Sequence, residues 1–251
     1  MEDATRPSGA QAVYRALAVL DAFDEGRLAL SAGDLASASG LTVPTAHRII
    51  HALTDRGFLV RDEARKTYSL GPTILRLARV ASSGRSAYEL VLPLVSELRD
   101  TWKETVGLHV RSGDRRVCVH ELESPHRVRV VSGVGQTYSL GSAAASKAIL
   151  AFTPDDDLAT LERSLPELTD PQFRAELADV RRRGYATSHG ETIPGARAVA
   201  IPILGSDGYA EAALNVTGPA HRLDAQRADD IGAALLERVG QLSPDLRREL
   251  A

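Results

Sequence analysis

Between Leu41 and Leu59 the chain reads "LTVPTAHRIIHALTDRGFL", which gathers Thr42, Thr45, His47, Arg48 and His51 within about two helical turns. Hydroxyls and an arginine at that spacing suit an anionic, hydrogen-bonding partner. Base edges offer acceptors to Arg and mixed partners to Thr, whereas phosphates take cations and backbone N–H groups. Thr42, Thr45 and Arg48 suit the first task. His47 and His51 suit the second, with Arg61 and Lys66 of the segment that follows. A different chemistry is offered by "YSLGSAAASKA", from Tyr138 to Ala148. Here Gly141 and Ser142 precede a helix start built of Ala143, Ala144 and Ala145. Small residues leave the N–H groups of a positive helix end open, which makes a site for a carboxylate. The same alanines equally suit a helix packed closely on a sheet, and the residues by themselves leave both open.

The first group needs a helix to hold it. Ala46, Ile49, Ile50 and Leu53 recur at i, i+3, i+4, i+7, a stripe that faces a core and turns Arg48 and His51 outward. Thr42 can cap this helix, and Pro44 in its first turn removes no hydrogen bond. Upstream, "SAGDLASASG" starts at a capping Ser31 and stops at Gly40, and a first helix runs from Gln11 with Val13, Ala16, Leu17, Leu20 and Phe23 on one face. Downstream, "GFLVRDEARKTYSL" alternates Phe58 and Val60 with Tyr68 and Leu70 around a charged tip carrying Arg61, Arg65 and Lys66. Three helices with a glycine turn between the second and third, then a hairpin, is the order of a winged helix-turn-helix. That combination raises DNA binding well above an ordinary solvated face.

Residues 1–10 read as a flexible tail and residues 11–70 as the DNA-binding domain. Gly71 and Pro72 break the hairpin, Ile74, Leu75, Leu77, Ala78 and Ala81 mark a linker helix over 71–85, and Ser82, Ser83 and Gly84 mark a joint. Residues 86–251 form the second domain. In it, "SAYELVLPLVSELRDTWKE", "SAAASKAILAF", "PQFRAELADVRRRGY" and "LDAQRADDIGAALLERVGQL" read as helices. "VGLHV", "RRVCVHEL", "RVRVVSGV", "AVAIPIL" and "YAEAALNVTG" read as strands, the last two joined at the turn "GSDG". Short turns between neighbouring strands argue for an α+β fold with an antiparallel sheet rather than a doubly wound one.

Composition limits the rest. Aromatics make up only 4% of the 251 residues against 43% hydrophobic, so the core must be built from Ala, Val, Leu and Ile. The net charge of −3 places any nucleic-acid contact in a local patch. One cysteine, Cys118, precludes an internal disulfide. The start "MEDATRPSGAQ" carries no basic segment followed by an apolar one, and no apolar stretch is long enough to span a bilayer, so a cytoplasmic protein without membrane partners is expected. A small-molecule enzyme with a helical N-terminal appendage is the competing reading. It lacks a constellation: "SGVGQTYS" puts Tyr138 where a dinucleotide loop needs its third glycine, no G-x-S-x-G elbow occurs, and His109, His120 and His126 are scattered. No metal and no cofactor are expected. Cys118 reads as a buried small hydrophobe, and the run Arg181–Arg183 as the solvated last turn of a helix.

With these pieces in order, the chain resembles the IclR family of bacterial transcription regulators. The resemblance is carried by "RALAVLDAF", "LASASGLTVPTAHRIIHALTDRGFL", "YSLGPTILRLA", "GSAAASKAILA" and "GETIPGARAVAIPIL…AALNVTGP", and spans nearly the whole chain. It implies a GAF-like antiparallel sheet that binds a small effector, a linker helix that pairs the DNA-binding heads, and a homodimer or homotetramer on operator double-stranded DNA. A repressor of a neighbouring catabolic operon, released or reset by a small organic acid, aliphatic or aromatic, follows from that resemblance. By the same resemblance Ala144 and Ala145 contact the effector carboxylate, Ser188, Ala198, Asn215 and Thr217 line the pocket, and Val130 and Tyr138 form its apolar wall. Some family members that bind small keto acids have an acid in place of Ser188 and a thiol in place of Ala198. No arginine or lysine is assigned to the pocket, so backbone donors are expected to carry the anion.

Overall fold

The computed structural model describes residues 10–24, 26–83, 86–205 and 207–240. Residues 1–9 of the expected tail, Gly84 of the expected joint and the last two residues of the terminal helix lie outside them. The chain divides into two compact units, residues 1–84 and residues 85–251.

In the first unit, α1 (Gln11–Leu20), α2 (Ala32–Ala38) and α3 (Val43–Asp55) precede a hairpin of β2 (Leu59–Asp62) and β3 (Thr67–Leu70), with β1 (Leu30–Ser31) before α2 and α4 (Pro72–Ser83) after the hairpin. Ser31 opens α2 with a reciprocal pair: the Asp34 N–H donates to its hydroxyl oxygen at 3.2 Å, and its own N–H donates to the Asp34 carboxylate at 3.1 Å. Two N–H groups that a helix start leaves unpaired are thereby satisfied. Gly40 turns the chain at φ +66°, a conformation without penalty only for glycine, and hands it to α3. Thr42 occupies the N-cap position of α3, but it does not cap. Its hydroxyl donates instead to Thr45 Oγ1 at 3.0 Å. Ala46, Ile50 and Leu53 of α3 pack with Val19, Leu35, Ala36 and Leu59 in one small core. α1 stops at Leu20, and Phe23 reaches the core from the turn beyond it.

The hairpin pairs Leu59 with Leu70 and Asp62 with Thr67, and Asp62 Oδ1 accepts the N–H groups of Ala64 and Arg65 to close the tip. β1 adds a third strand on β3, at Leu30 to Tyr68. Two residues are too few to show alternation, so the sequence does not announce it. Gly71 closes the base of the wing on the turn that follows α3: its N–H donates to the Phe58 carbonyl at 2.7 Å, while a Cβ there would lie 2.3 Å from the Gly57 carbonyl oxygen.

The second unit is built on one six-stranded antiparallel sheet in the order β6 (Thr137–Ser139), β5 (Arg115–Leu122), β4 (Thr105–Ser112), β9 (Ala210–Pro219), β8 (Ala196–Leu204), β7 (Ala186–His189). Along β8 and β9 the side chains alternate in size as well as direction. Val199, Ile201, Ile203, Leu214 and Val216 join a core with α5 (Ser86–Trp102) and α9 (Ala225–Gly240). Ala198, Ala200 and Ala213 join the other core with α6 (Ala144–Ala151) and α8 (Pro171–Arg183). Between α6 and α8 lie α7 (Asp155–Leu161) and a single 3-10 turn. α8 ends at Gly184 with φ +84°, as its sequence requires.

Two expectations are corrected. "RVRVVSGV" is not a strand: residues 123–136 form a loop, because Glu121 accepts the N–H groups of Ser132 and Gly133 and β6 takes the edge of the sheet beside β5. Nor is the arginine run simply solvated. Arg181 donates to the Ala151 carbonyl and Arg183 to the Tyr185 carbonyl at 2.7 Å, which ties α8 to its neighbours. Since the obstacle at Gly71 is backbone, Gly71→Ala should lower stability by about 1–3 kcal/mol, read as a fall in the thermal midpoint of the full chain. An unchanged midpoint would show that the wing joint can give.

Candidate DNA-binding face and effector cavity

On α3 the buried stripe leaves His47, Arg48 and His51 exposed and Thr45 half-buried, with Thr42 exposed at its start. The helix therefore presents an arginine at the middle of a polar face. His51 Nδ1 lies 3.1 Å from the Asp55 carboxylate, one turn on. In the wing, Arg61 pairs with Glu63 at 3.3 Å, whereas Lys66, held at φ +53° at the tip, has no ion pair among the described residues. Such exposed pairs are worth about 1 kcal/mol or less and yield readily to a phosphate. Arg15 of α1 and Arg56 after α3 join Arg48 along a hollow between those two helices. Neither was singled out by the sequence, since each is an ordinary surface arginine until α1 and α3 pack together.

In the second unit a cavity of about 40 Å³ opens at the start of α6. Tyr138, Ala144, Ala145, Ser188, Ala198, Asn215 and Thr217 line it, from four strands and a helix. The register explains the gathering: Ser188 pairs with Ala198 across β7 and β8, and Ala198 pairs with Thr217 across β8 and β9. Val130 is not among the lining residues. The two bonds from Glu121 fold its loop so that Ser132 reaches the cavity instead. Tyr138 is not a plain apolar wall either. Its ring lies 4.5 Å beneath the Arg116 guanidinium, and its hydroxyl donates to the Ser132 carbonyl. The loop Gly190–Ile193 closes another side. From it Glu191 accepts the Ala143 N–H at 2.9 Å and pairs with Lys147 at 2.7 Å; Lys147 also pairs with Glu176 at 2.8 Å. Ala143 stands at φ +77°, ψ 156°, a region that is essentially glycine's. Backbone strain of about 1–3 kcal/mol is thus held at the mouth of the helix.

Two arginines correct the expectation that none would reach the pocket: Arg116 and Arg197 both line it. Arg116 is 5% exposed. Its Nε donates to Ser146 Oγ at 3.0 Å and its Nη1 to His109 Nδ1 at 2.7 Å, and Ser146 passes its own hydrogen to the Ser139 carbonyl. A guanidinium only donates, so His109 is neutral with its proton on Nε2. Burial, reinforced by Arg116, lowers the His109 pKa to about 3, and Asn215 beside the ring works weakly the other way. Burial also lowers Arg116, to about 10, which leaves it charged at neutral pH. Asn215 donates from Nδ2 to Thr217 Oγ1 at 2.7 Å and turns its Oδ1 toward the His109 ring, where the Nε2–H faces it. One local signal marked Arg116, a charge at an inward position of β5, but on an edge-proximal strand that signal is weak. Cys118, on the same strand, is fully buried, and desolvation pushes its thiol up to about 12.

Comparison with known proteins decides what these two units belong to. Residues 12–63 match the IclR helix-turn-helix domain, and residues 83–244 match the family described as bacterial transcriptional regulator IclR C-terminal. The chain belongs to the IclR family. It is 32% identical to the HTH-type transcriptional regulator Rv1719 of Mycobacterium tuberculosis over 93% of this chain and 92% of that one. It is 24% identical to the HTH-type transcriptional repressor AllR of Escherichia coli over 95% and 91% of the two chains. A crystal structure of an IclR transcriptional regulator from a Silicibacter species superposes with a TM-score of 0.75 at 26% identity, covering 94% of this chain and 98% of that one. As an IclR-family member the protein is a DNA-binding transcription regulator with an effector-binding domain, not an enzyme.

The buried histidine makes a pH prediction. The folded state holds His109 neutral down to about pH 3, while the unfolded chain protonates it near 6.5. Stability from this residue is therefore complete above about pH 6.5 and is lost as the pH falls toward 3, at about 1.4 kcal/mol per pH unit. His109→Gln keeps an acceptor for Arg116 and does not titrate. The stability difference between the two proteins should drift by that amount per unit in chemical unfolding from pH 6 to pH 4; a constant difference would refute the assignment.

Proposed function

We propose that this IclR-family regulator is a repressor which reads operator DNA with α3 and the wing and responds to a small organic acid held in the cavity at the start of α6. The observation that carries the effector half is the convergence of Tyr138, Ala144, Ala145, Ser188, Ala198, Asn215 and Thr217, scattered over eighty positions of sequence, on one small cavity. The small size of that cavity favours a short aliphatic acid over an aromatic one. The DNA half rests on the exposed Thr42, His47, Arg48, His51, Arg61 and Lys66 around a buried helix stripe, with Thr45 beside them. In this reading Arg48, with Thr42 and Thr45, contacts base edges, and His47, His51, Arg61 and Lys66 contact phosphates. Repression is also what the name of the Escherichia coli relative says of that protein.

One winged helix makes too small a contact for strong specificity, so the protein acts as a dimer or tetramer. Residues 11–70 are the reading head, 71–85 the linker and 86–251 the effector domain. α4 leaves Leu75 74% exposed and Val80 60% exposed, with Leu77 and Ile74 beside them, an apolar face suited to a seam between two copies. Two-fold pairing requires an inverted repeat whose half-site centres lie about 34 Å apart, or a multiple of that. The described residues contain no helix long and apolar enough to cross a membrane; a cytoplasmic location follows in this reading from the DNA the protein binds. Linkage then demands that the acid bind the DNA-competent and DNA-released states unequally.

A gel shift with the intergenic DNA beside the gene tests the core of this reading. Arg48→Ala should weaken operator binding by roughly 1–3 kcal/mol, whereas Lys66→Ala should weaken binding to every sequence and flatten the salt dependence by about one unit. Wild-type affinity in a folded Arg48→Ala protein would remove α3 as the reading helix. Light scattering on the same samples checks assembly, and a monomer that still binds a full operator tightly would remove the seam.

A further inference from the structure

The start of α6 departs from the usual helix opening. Its N-cap position belongs to Ala143, which has no side-chain acceptor for a helix N–H and stands at φ +77°, ψ 156°. That ψ is ordinary for an N-cap residue, and the Ala143 carbonyl accepts the Lys147 N–H at 3.0 Å as the helix requires. Only φ is abnormal. It sets the preceding peptide, between Ser142 and Ala143, and turns the Ala143 N–H onto Glu191 Oε2 at 2.9 Å. At an ordinary negative φ that peptide would be reversed, with the Ser142 carbonyl toward the carboxylate.

Glu191 is held in place from two other directions. Lys147 Nζ donates to its Oε1 at 2.7 Å, and Lys147, itself buried, is braced by Glu176 of α8 at 2.8 Å. The loop that carries Glu191 lies between two left-handed glycines, Gly190 at φ +70° and Gly195 at φ +75°, and the Gly190 N–H donates to the Ala196 carbonyl at 2.8 Å. The carboxylate therefore stands at a fixed point. A reversed peptide would set one acceptor against another beside a buried ammonium, with no donor for either oxygen to share. That cost is what holds an alanine in a conformation suited to glycine.

The consequence falls on the cavity, which Ala143, Ala144, Ala145, Gly190 and Glu191 all line. As the peptide stands, it offers an N–H at the mouth of α6. Reversed, it would offer a carbonyl, whose partial negative charge opposes an anion. We propose that Glu191 is a positioning residue of the effector site: fixed by Lys147, it holds the Ser142–Ala143 peptide in the orientation that keeps a carbonyl away from an incoming acid. This rests on the effector reading of the cavity. It also gives an acidic side chain beside an anion site a reason to be there.

The test separates this role from plain electrostatics by sign. Removing a carboxylate beside the cavity tightens acid binding if charge alone matters. Positioning requires the opposite. By calorimetry on the full chain, Glu191→Ala should lose at least about tenfold in affinity for whichever of acetate, propionate and lactate the wild type binds most tightly. Glycine adopts φ +77° without penalty, so Ala143→Gly should raise the thermal midpoint of the wild type by about 2–4 °C. With Glu191→Ala already present the alanine is free to relax, and the same glycine should give no rise. That double variant should recover acid affinity to within about threefold of the wild type, because either peptide orientation costs glycine little.

Unchanged or tighter acid binding in Glu191→Ala overturns the proposal. So does a glycine effect on the midpoint that is equal with and without Glu191. If Glu191→Ala does not fold, a folded double variant is the same rescue, and an unfolded one overturns the proposal. No binding of the three acids to the wild type removes the short-acid reading and the proposal with it. The midpoint cycle needs no ligand, so it tells that failure apart from failure of the Glu191 clamp.

Discussion

The effector unit depends on how closely α6 can lie on the sheet. Side-chain size alternates along most of β8 and β9: Val, Ile and Leu, with Ala212, face α5 and α9, and Ala198, Ala200 and Ala213 face α6. An alanine face lets a helix that is itself mostly alanine approach without large side chains between, and every residue of α6 is buried as a result. Where the small face gives way to Asn215 and Thr217, packing stops and the cavity begins. Backbone strain at Ala143 and the anchoring of Glu191 on Lys147 lie at the same place. Close packing and an open polar hollow are thus two ends of one stripe.

Charge is handled in opposite ways by the two units. In the reading head the cations are solvated and cheaply paired, as Arg61 is with Glu63. Water screens them, so they can exchange partners for phosphates at little cost. In the effector unit Lys147 and Arg116 are withdrawn from water, where a charge must be matched by a fixed partner. Lys147 has two carboxylates. Arg116 has a hydroxyl, a neutral ring nitrogen and the face of Tyr138, an arrangement that tolerates a guanidinium and does not neutralise it.

Much of this was legible in the chain itself. The stripe Ala46, Ile49, Ile50, Leu53, the Ser31 start, the Gly40 stop and the polar tip of the wing fixed the reading head, because helix periodicity and capping are local and each signal fell within one turn of the residue that bears it. The antiparallel character of the second unit followed from short turns between strands. Local signals failed where the outcome depended on a partner. "RVRVVSGV" alternates like a strand, but the sheet edge is taken by Thr137–Ser139; β1 and β7 are too short to show a period.

The sequence by itself determined which residues could be small, which could cap and which would face a core, since these follow from side-chain volume and backbone preference at single positions. The tertiary structure alone decided the charge state and company of Arg116. Its three neighbours His109, Ser146 and Tyr138 lie on two other strands and a helix, and strand register, not sequence distance, brings them within hydrogen-bond or stacking range. It also decided that Val130 would miss the cavity and Ser132 reach it, because two hydrogen bonds from Glu121 set the course of their loop. A burial penalty and a missing counter-ion are properties of a volume, and no linear pattern encodes a volume until the sheet is assembled.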